Sequence, residues 1–430
     1  MLAQILFLII LIAAIVFFTY NVRKIIRNIN LGLPTNRSDR PAERWLIMLK
    51  VAFGQTKMMA RPIPAIMHFL IYAGFIIINI EVLEIIIDGL SGSHRIFAHP
   101  LRQFYNFLIA AFEWLAIAVL AACIVFLARR NILKLKRFYA REITNWPRSD
   151  ANIILITEIL LMAAFLTMNA ADYKLQQSAY YIKAGTFPVS AFMSIFLPDN
   201  PNTLILMERF CWWFHIIGIL AFLNYLPYSK HFHILIAFPN TYYSKLQPKA
   251  EFNNMPSVTN EVKAMLDPSF IPEPATFQKF GAKDVTDLTW KNLMEAYTCT
   301  ECGRCTSECP ANITGKLLSP RKIMMDTRDR LNEVGKNIDK HGKEFSDGKS
   351  LLDDYILREE IWACTSCMAC LKACPVNIDP LSIIIELRRY IIMEESKGPG
   401  SLNNMFGNIE NNGAPWKYSP MERFNWANNA

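Results

Sequence analysis

Two stretches decide the fold of the second half of this chain: CTECGRCTSECP at residues 299–310 and CTSCMACLKACP at residues 364–375. Each places four cysteines in the order C-x2-C-x2-C-x3-C and closes with a proline. Such close spacing lets a short backbone segment surround a compact inorganic group, and the proline ends a helix where the fourth sulfur turns away. The two cysteine runs therefore predict a pair of metal centres.

The spacing of both runs resembles that of bacterial ferredoxins, in which each run gives three thiolates to one [4Fe–4S] cluster and its fourth to the other. The resemblance implies a first cluster on Cys299, Cys302, Cys305 and Cys374. It implies a second cluster on Cys364, Cys367, Cys370 and Cys309. Structural zinc on the C-x2-C pairs is the alternative, although zinc does not require this order twice over. A disulfide framework is disfavoured, because such regular pairs suit a reducing compartment.

Composition divides the chain into an apolar and a polar part. Of its 430 residues, 52% are hydrophobic, and the long apolar runs lie in residues 1–237. Five stretches reach the roughly 20 residues that span a bilayer as a helix. They are about 2–20, 64–88, 104–128, 151–171 and 207–228. The predicted fold is mostly α: a five-helix transmembrane bundle, followed by a small helical dicluster ferredoxin domain in the cytoplasm.

Basic residues predict how the bundle is oriented. The first and third connections between the spans carry nine and seven lysines and arginines, whereas the second and fourth carry two each. The positive-inside rule then places the N-terminus outside a bacterial inner membrane, and everything after the fifth span in the cytoplasm. The first apolar stretch lacks the features of a cleaved signal, so we expect a membrane anchor there. An anionic membrane surface accounts for the net charge of +8 without a nucleic-acid partner.

Histidines in the apolar half are candidate haem ligands. His68 lies near the cytoplasmic start of the second span, His215 in the outer part of the fifth, and His233 at its cytoplasmic end. The eighteen residues from His215 to His233 correspond to about 27 Å and five helical turns, so both histidines share one face. A two-haem cytochrome b needs two such axial positions on one helix. His231 is the alternative ligand if Pro227 kinks the last turn.

The membrane half also resembles a known family. The five-span plan with HIIGILAFLNYLPYSKHFH at residues 215–233 resembles the respiratory nitrate reductase gamma subunit, and more broadly the cytochrome b subunits of heterodisulfide-reductase-type complexes. The stretch 293–395 resembles the dicluster ferredoxin of the same complexes. The resemblance implies that His68 and His233 bind one haem b. A second haem at His215 lacks its usual partner, because Ile78 stands at that position and has no donor atom.

Four carboxylates lie within the predicted spans: Glu81, Glu84, Glu113 and Glu158. Carboxylates this deep normally face the bundle interior or a water-filled cavity. They are therefore candidates for a proton path or a quinone site, with hydrogen-bonded packing as the alternative.

Four domains are predicted: a cytochrome b-like domain at 1–237, an extended linker at 238–292, the dicluster domain at 293–395 and a tail at 396–430. The tail is either a segment that docks a partner or a flexible terminus. The linker is inferred from six prolines: Pro239, Pro248, Pro256, Pro268, Pro272 and Pro274. The chain contains neither a Gly-rich nucleotide fingerprint nor the C-C-G motifs of related catalytic subunits. We therefore expect a separate cysteine-rich iron–sulfur subunit as the cytoplasmic partner, with an electron-transfer flavoprotein as a candidate donor.

The sequence thus predicts the quinone-interacting electron-transfer subunit of an oxidoreductase complex. It would relay electrons between a cytoplasmic iron–sulfur or flavoprotein partner and the quinone pool, through two [4Fe–4S] clusters and haem b, in either direction. One alternative is a haem-free membrane anchor for a ferredoxin module. Another is a redox sensor in which cluster loss changes partner binding, but two complete ligand sets favour electron transfer.

Overall fold

The secondary structure is almost entirely helical. The computed structural model describes residues 1–248, 251–271, 279–422 and 424–428. Within these ranges, β-structure is limited to two isolated bridges, Leu33 with Thr289 and Leu352 with Ile356. The predicted fold class is confirmed: five long apolar helices precede a helical C-terminal region.

Five helices of the N-terminal half are long and apolar enough to cross a membrane. With the short α2, the helices there are α1 Leu2–Ile29, α2 Pro41–Met48, α3 Pro62–Ser91, α4 Gln103–Asn131, α5 Trp146–Gln177 and α6 Pro201–Tyr225. Proline occupies the first turn of α3, α5 and α6, where its missing N–H has no intrahelical partner to lose. The first four run past the end of their predicted apolar stretches, because polar turns continue the helix beyond the lipid-compatible segment. Helix α6 begins six residues before its predicted stretch and ends three residues short of it.

The five membrane helices close into a ring in chain order. Along α1, α3, α4, α5 and α6, each helix packs against the next, and α6 returns to pack against α1. Fully buried side chains such as Ile109, Phe165 and Ile216 fill the centre. Large apolar residues such as Trp114 and Phe210 are exposed on the outside of this bundle. An apolar exterior around an apolar core is what a helical bundle in lipid requires.

Within the described residues, the C-terminal half continues with six helices of nine residues or more. They are α7 His233–Tyr242, α8 Pro256–Leu266, α9 Trp290–Thr298, α10 Pro320–His341, α11 Pro380–Arg389 and α12 Gly400–Asn412. Each cysteine run contains a one-turn helix before its fourth cysteine: Arg304–Ser307 in the first run and Ala369–Ala373 in the second. Helix α10 packs against both α9 and α11. We call residues 293–395, which these helices organise, the ferredoxin-like region.

One hydrophobic core is shared by the bundle and the ferredoxin-like region. Ile25 and Ile29, on the last two turns of α1, are buried in the same cluster as Leu293, Ile323 and Leu387, which are fully inaccessible. Burying aliphatic side chains of this size is worth roughly 1.5–3 kcal/mol each. The ferredoxin-like region is therefore packed onto the end of the bundle by apolar contacts.

The backbone that follows α1 reinforces this junction. Leu33 donates its N–H to Leu288 O at 2.8 Å and accepts from Trp290 N at 3.0 Å. At Gly32, a Cβ atom would lie 2.5 Å from the backbone nitrogen of Trp290, so only glycine permits this approach. Lys24 adds an ion pair with Asp339 at 2.9 Å.

Several described segments of residues 238–292 differ from the extended linker that the prolines predicted. Residues up to Tyr242 belong to α7, and residues 256–266 form α8, in which Pro256 takes the first helical position, where proline is tolerated. Val285 and Leu288 are buried in the shared core. The extended interpretation is therefore wrong for these segments, while Pro272 and Pro274 lie outside the described residues. The domain boundaries themselves stay a prediction.

We expect Gly32→Ala to weaken the junction by about 1–3 kcal/mol, because the new methyl group clashes with backbone that cannot rotate away. The matched control is Gly407→Ala on α12, where a Cβ meets no atom within 4 Å. The stability of both variants is measured by thermal unfolding in detergent, with proteolysis of the ferredoxin-like region as the readout. Equal unfolding temperatures for the two variants would contradict the close approach at Gly32.

Candidate functional site

The two cysteine runs share one backbone conformation. Two residues after the first cysteine, Glu301 and Ser366 have φ values of 54° and 56°. Two residues further on, Gly303 and Met368 have φ values of 70° and 58°. Such values are uncommon for residues other than glycine. Their recurrence at matching positions indicates that both runs wrap around groups of the same shape.

A small pocket is lined by four of the predicted ligands: Cys299, Cys302, Cys305 and Cys374. The first three belong to the first run and the fourth to the second. The one-turn helices of the two runs pack against each other, which brings Cys374 across. Met324, Val376 and Ile378 complete an apolar wall. Four thiols in a largely apolar pocket form a donor set that fits a [4Fe–4S] cluster.

In the second set of thiols, three come from the second run and the fourth, Cys309, comes from the first. Burial raises the pKa of the Cys364 thiol, and nearby Cys309 and Cys367 raise it further. Burial likewise raises the pKa of Cys370 to about 12, with smaller contributions from its neighbours, Cys309 among them. Cys309 therefore lies near the cysteines of the second run. Cys367 is exposed, so this second site lies closer to solvent.

Backbone N–H groups point at two of the sulfurs. Ser366 N donates to Cys364 Sγ at 3.4 Å, and Ile378 N donates to Cys374 Sγ at 3.3 Å. Hydrogen bonds of this kind tune the potential of a cluster. Burial raises the pKa of Cys299 to about 12 and that of Cys374 to about 11. These thiols would stay protonated at neutral pH without the positive charge of bound iron.

The connection between α2 and α3, residues 49–61, contacts both cysteine runs. Lys57 Nζ donates to Cys374 O at 2.9 Å. Arg304 Nη1 donates to Lys57 O at 3.2 Å, and Arg61 Nη2 donates to Ser307 Oγ at 2.6 Å. This α2–α3 connection therefore joins the cysteine sites to the start of α3.

Two of the candidate haem ligands face each other at the same end of the bundle. The ring centroids of His68 and His233 are 6.4 Å apart. His68 Nδ1 lies 3.0 Å from Gln55 Oε1, in the α2–α3 connection, and His233 Nδ1 lies 3.0 Å from Lys230 O. Each Nδ1–H therefore has an acceptor, which leaves Nε2 of each ring for a metal, as is usual for ligating histidines. With metal–nitrogen bonds of about 2 Å, two imidazoles on one iron would have centroids about 6 Å apart.

The other two histidines are placed differently. The ring of His231 lies 5.6 Å from that of His233, and at nearly a right angle to it. His215 is buried, with Nδ1 3.0 Å from Leu161 O and its ring 5.9 Å from Phe165. Among the described residues, no second imidazole packs against His215. The structure therefore brings His68 and His233 together, whereas no described imidazole lies against His215.

The four carboxylates of the spans divide into two groups. Glu113 accepts from two consecutive backbone N–H groups, and Glu84 accepts from Tyr105 Oη at 2.9 Å and from a backbone N–H. Both are therefore satisfied packing residues. Glu81 is buried with one oxygen unpartnered. Glu158 forms no hydrogen bond with another described residue. Glu81 and Glu158 are therefore the span carboxylates that the described hydrogen bonds leave unsatisfied.

The structure also reveals residues that the sequence did not single out. Arg95, counted only as a charge in the second connection, is buried and ion-paired with Asp172 at 2.5 Å. It also donates to Asn169 Oδ1 at 2.8 Å. Gln55 belongs to no sequence motif, and Lys57 is one of nine basic residues in the first connection. Their roles depend on contacts across the fold, for which the local sequence carries no signal.

A comparison with protein families supports the iron–sulfur interpretation. Residues 298–378 match a family described as the 4Fe-4S dicluster domain. The match covers both cysteine runs, so the prediction of an iron–sulfur region, as opposed to a zinc site, is confirmed. The assignment of single cysteines to each cluster stays a prediction.

Three curated relatives extend the comparison beyond the cysteine runs. A probable iron–sulfur-binding oxidoreductase of Bacillus subtilis is 26% identical over 99% of this chain and 61% of its own length. An EtfAB:quinone oxidoreductase of Syntrophomonas wolfei is 28% identical over 91% of this chain and 55% of its own. The third is one of the subunits of a dihydromethanophenazine:CoB–CoM heterodisulfide reductase of Methanosarcina mazei, 28% identical over 35% of this chain and 37% of its own.

The chain thus spans little more than half the length of the first two relatives. No solved structure matches it. The relatives confirm an oxidoreductase-type iron–sulfur protein related to heterodisulfide reductase subunits. The cytochrome b interpretation of the membrane half stays a prediction.

We expect Gly303→Ala to lower the iron and acid-labile sulfide content of the purified protein. A Cβ at Gly303 would lie 2.5 Å from Arg321 Nη1, and Arg321 is fully buried and ion-paired with Glu142 at 2.7 Å. A strained backbone and a displaced buried arginine together cost about 1–3 kcal/mol. The matched control is Met368→Ala, because a residue with a Cβ already adopts that φ. Equal cluster loading in the two variants would contradict the proposed clash at Gly303.

Proposed function

We propose that this chain is the quinone-interacting electron-transfer subunit of a membrane oxidoreductase complex. It would link a cytoplasmic iron–sulfur or flavoprotein partner to the quinone pool through two [4Fe–4S] clusters and haem b. The observation that carries the proposal is that the α2–α3 connection contacts both a predicted cluster ligand and a candidate haem ligand. Its Lys57 holds the backbone at Cys374, and its Gln55 holds the ring of His68.

In this proposal, the thiols bind the clusters with crossed ligation. Cys299, Cys302 and Cys305 act with Cys374, and Cys364, Cys367 and Cys370 act with Cys309. When bound, the clusters and the haem supply one-electron redox chemistry. The protein excludes water around the first site by burying Cys299 and Cys374, and leaves the second site near solvent through Cys367. The exposed site is therefore the proposed entry for a soluble partner.

The haem proposal rests on one histidine pair. His68 and His233 are held by their Nδ1 hydrogen bonds with a ring separation suited to one metal between them. Only one haem b is proposed, because His215 is packed against Phe165 and, among the described residues, has no imidazole opposite it. His231 is the substitute ligand, since it lies beside His233.

The quinone would take up or release protons within the bundle. Glu81 carries a buried oxygen without a hydrogen-bond partner, and its helix also carries His68. Quinone reduction consumes two protons with two electrons, so an unsatisfied carboxylate on the haem-bearing helix is a suitable proton carrier. The proposal assigns this role to Glu81 ahead of Glu84 and Glu113, whose oxygens are occupied.

The proposed location is a bacterial inner membrane, with the N-terminus outside and the ferredoxin-like region in the cytoplasm. The lysines and arginines of the α2–α3 connection lie at the end of the bundle that packs against that region, as the positive-inside rule requires. Partner candidates are a cysteine-rich iron–sulfur subunit and an electron-transfer flavoprotein, the latter suggested by the relative named EtfAB:quinone oxidoreductase. Exposed Trp416 and Trp426 of the tail suit a docking surface.

The test is a reduced-minus-oxidised visible spectrum of the purified protein with both clusters loaded. A haem b signal is expected. Its absence from fully loaded protein would leave the haem-free membrane anchor as the better description.

We expect His68→Ala and His233→Ala each to remove the same haem signal, because bis-histidine ligation fails when either ligand is lost. The control is His341→Ala, an exposed position in the ferredoxin-like region. The visible spectrum and the haem content per chain are measured together. If His233→Ala leaves the spectrum intact, the proposed pairing is wrong and His231 becomes the ligand to test.

We expect Cys309→Ser to disturb the cluster held mainly by the second run, and Cys374→Ser to disturb the other. Each should lower the iron content by about half, because one of two four-iron groups is lost. Electron paramagnetic resonance of the reduced protein distinguishes the two clusters. Cys211→Ala, at a free cysteine of the bundle, should leave both unchanged. Selective loss of the first-run cluster in Cys309→Ser would refute crossed ligation.

A further inference from the structure

An open surface depression of about 440 Å³, which we call the basic cavity, lies between the start of α3 and the segment after α4. Half of its lining is cationic, and the remaining residues are proline or aliphatic, without a carboxylate. The cationic residues are Arg61, Arg129, Lys136 and Arg137. A concentration of positive charge without lining carboxylates favours an anionic occupant.

Arg137 is the least satisfied member of this cavity. Its Nε is buried without a hydrogen-bond partner. Burial, and then the like charge of Arg61, lower the pKa of the Arg137 guanidinium to about 10. Within the described part of the chain, one of the four cations pairs with a carboxylate: Arg61 lies 3.0 Å from Glu308, which is itself exposed. Among the described residues, no buried carboxylate therefore pairs with any of these four cations.

Apolar surface continues from the cavity onto the outside of the bundle. Ile63 and Phe69 on α3 are more than half exposed, and so are Ile132 and Leu133 just beyond α4. These side chains lie where the helices enter the lipid-compatible part of the bundle. A ligand with an anionic head and long apolar chains matches both surfaces at once.

We propose that this cavity binds the headgroup of an anionic phospholipid, with its phosphate among the four cations and its acyl chains along α3 and α4. Basic pockets between membrane helices on the cytoplasmic side recognise such headgroups. Inorganic phosphate would leave the apolar surface unused. A quinone headgroup is neutral and would leave four positive charges unbalanced.

The position of the cavity gives the lipid a structural consequence. Arg61 donates to Ser307 Oγ in the first cysteine run, at 2.6 Å, and Arg321 donates to Arg137 O at 2.6 Å. Two of the lining residues therefore hold the ferredoxin-like region while repelling each other. A bound phosphate neutralises that repulsion. This inference does not depend on the proposed electron transfer, since it requires only the membrane location.

The experiment uses the full chain with its clusters, in phosphatidylcholine nanodiscs titrated with phosphatidylglycerol, and counts retained lipids by native mass spectrometry. The test variant is Arg129→Gln/Lys136→Gln, which removes two lining charges whose side chains form no hydrogen bond or ion pair with the described residues of the cysteine runs. The control is Lys134→Gln/Arg141→Gln, which removes the same charge from exposed neighbours outside the cavity. At about 1 kcal/mol per basic residue, the test variant should bind about thirtyfold more weakly.

Retention of phosphatidylglycerol by the wild type and the control variant, with loss in the test variant, supports the site. Equal weakening in both variants would mean diffuse surface attraction and overturn it. Displacement of the lipid by inorganic phosphate alone, or retention of quinone in its place, would also overturn it. Iron content is measured in every sample, so that loss of the clusters is distinguished from loss of the lipid.

Discussion

Burial of the last two turns of α1 against α9 and α10 holds the cysteine runs at the end of the bundle. The other features of the molecule depend on this contact. It sets the level at which the α2–α3 connection meets Cys374, and that connection in turn positions His68 through Gln55. A flexible tether would fix none of these distances. A rigid junction is what electron transfer over short, defined gaps requires, and here it is built from ordinary aliphatic packing.

Basic residues serve two purposes at the same end of the bundle. In the sequence they indicate orientation. In the structure, Lys57 of the α2–α3 connection donates to the backbone carbonyl of Cys374, and Arg304 of the first cysteine run donates to the backbone carbonyl of Lys57. Both positive charges therefore lie where anionic thiolates would gather around iron. The same positive charge can therefore face the anionic membrane surface and stabilise an anionic cofactor, which explains how a single loop satisfies both demands.

Much of the architecture could be predicted from the sequence, because it depends on local patterns. Apolar length predicts the five helices, and cysteine spacing predicts the dicluster region. The approach of Cys374 to the first run could also be expected, because both runs have the ferredoxin spacing, in which the fourth cysteine of each run turns toward the other cluster. The burial of Val285 and the pairing of Arg95 with Asp172 could not be predicted, since both depend on partners distant in sequence. The prolines of residues 238–292 were misleading because the effect of a proline depends on its position within a helix, which composition does not reveal.

Helix α1 is one uninterrupted element of 28 residues, or about 42 Å, whereas the hydrocarbon core of a bilayer is about 30 Å thick. Its last turns therefore project beyond the lipid and end inside the shared core. Helices adjust to bilayers of different thickness by tilting. With no kink or break to absorb it, a tilt of α1 acts as a lever arm on the region that carries the cysteines. A change in membrane thickness would therefore exert a force on the packing between α1 and the ferredoxin-like region.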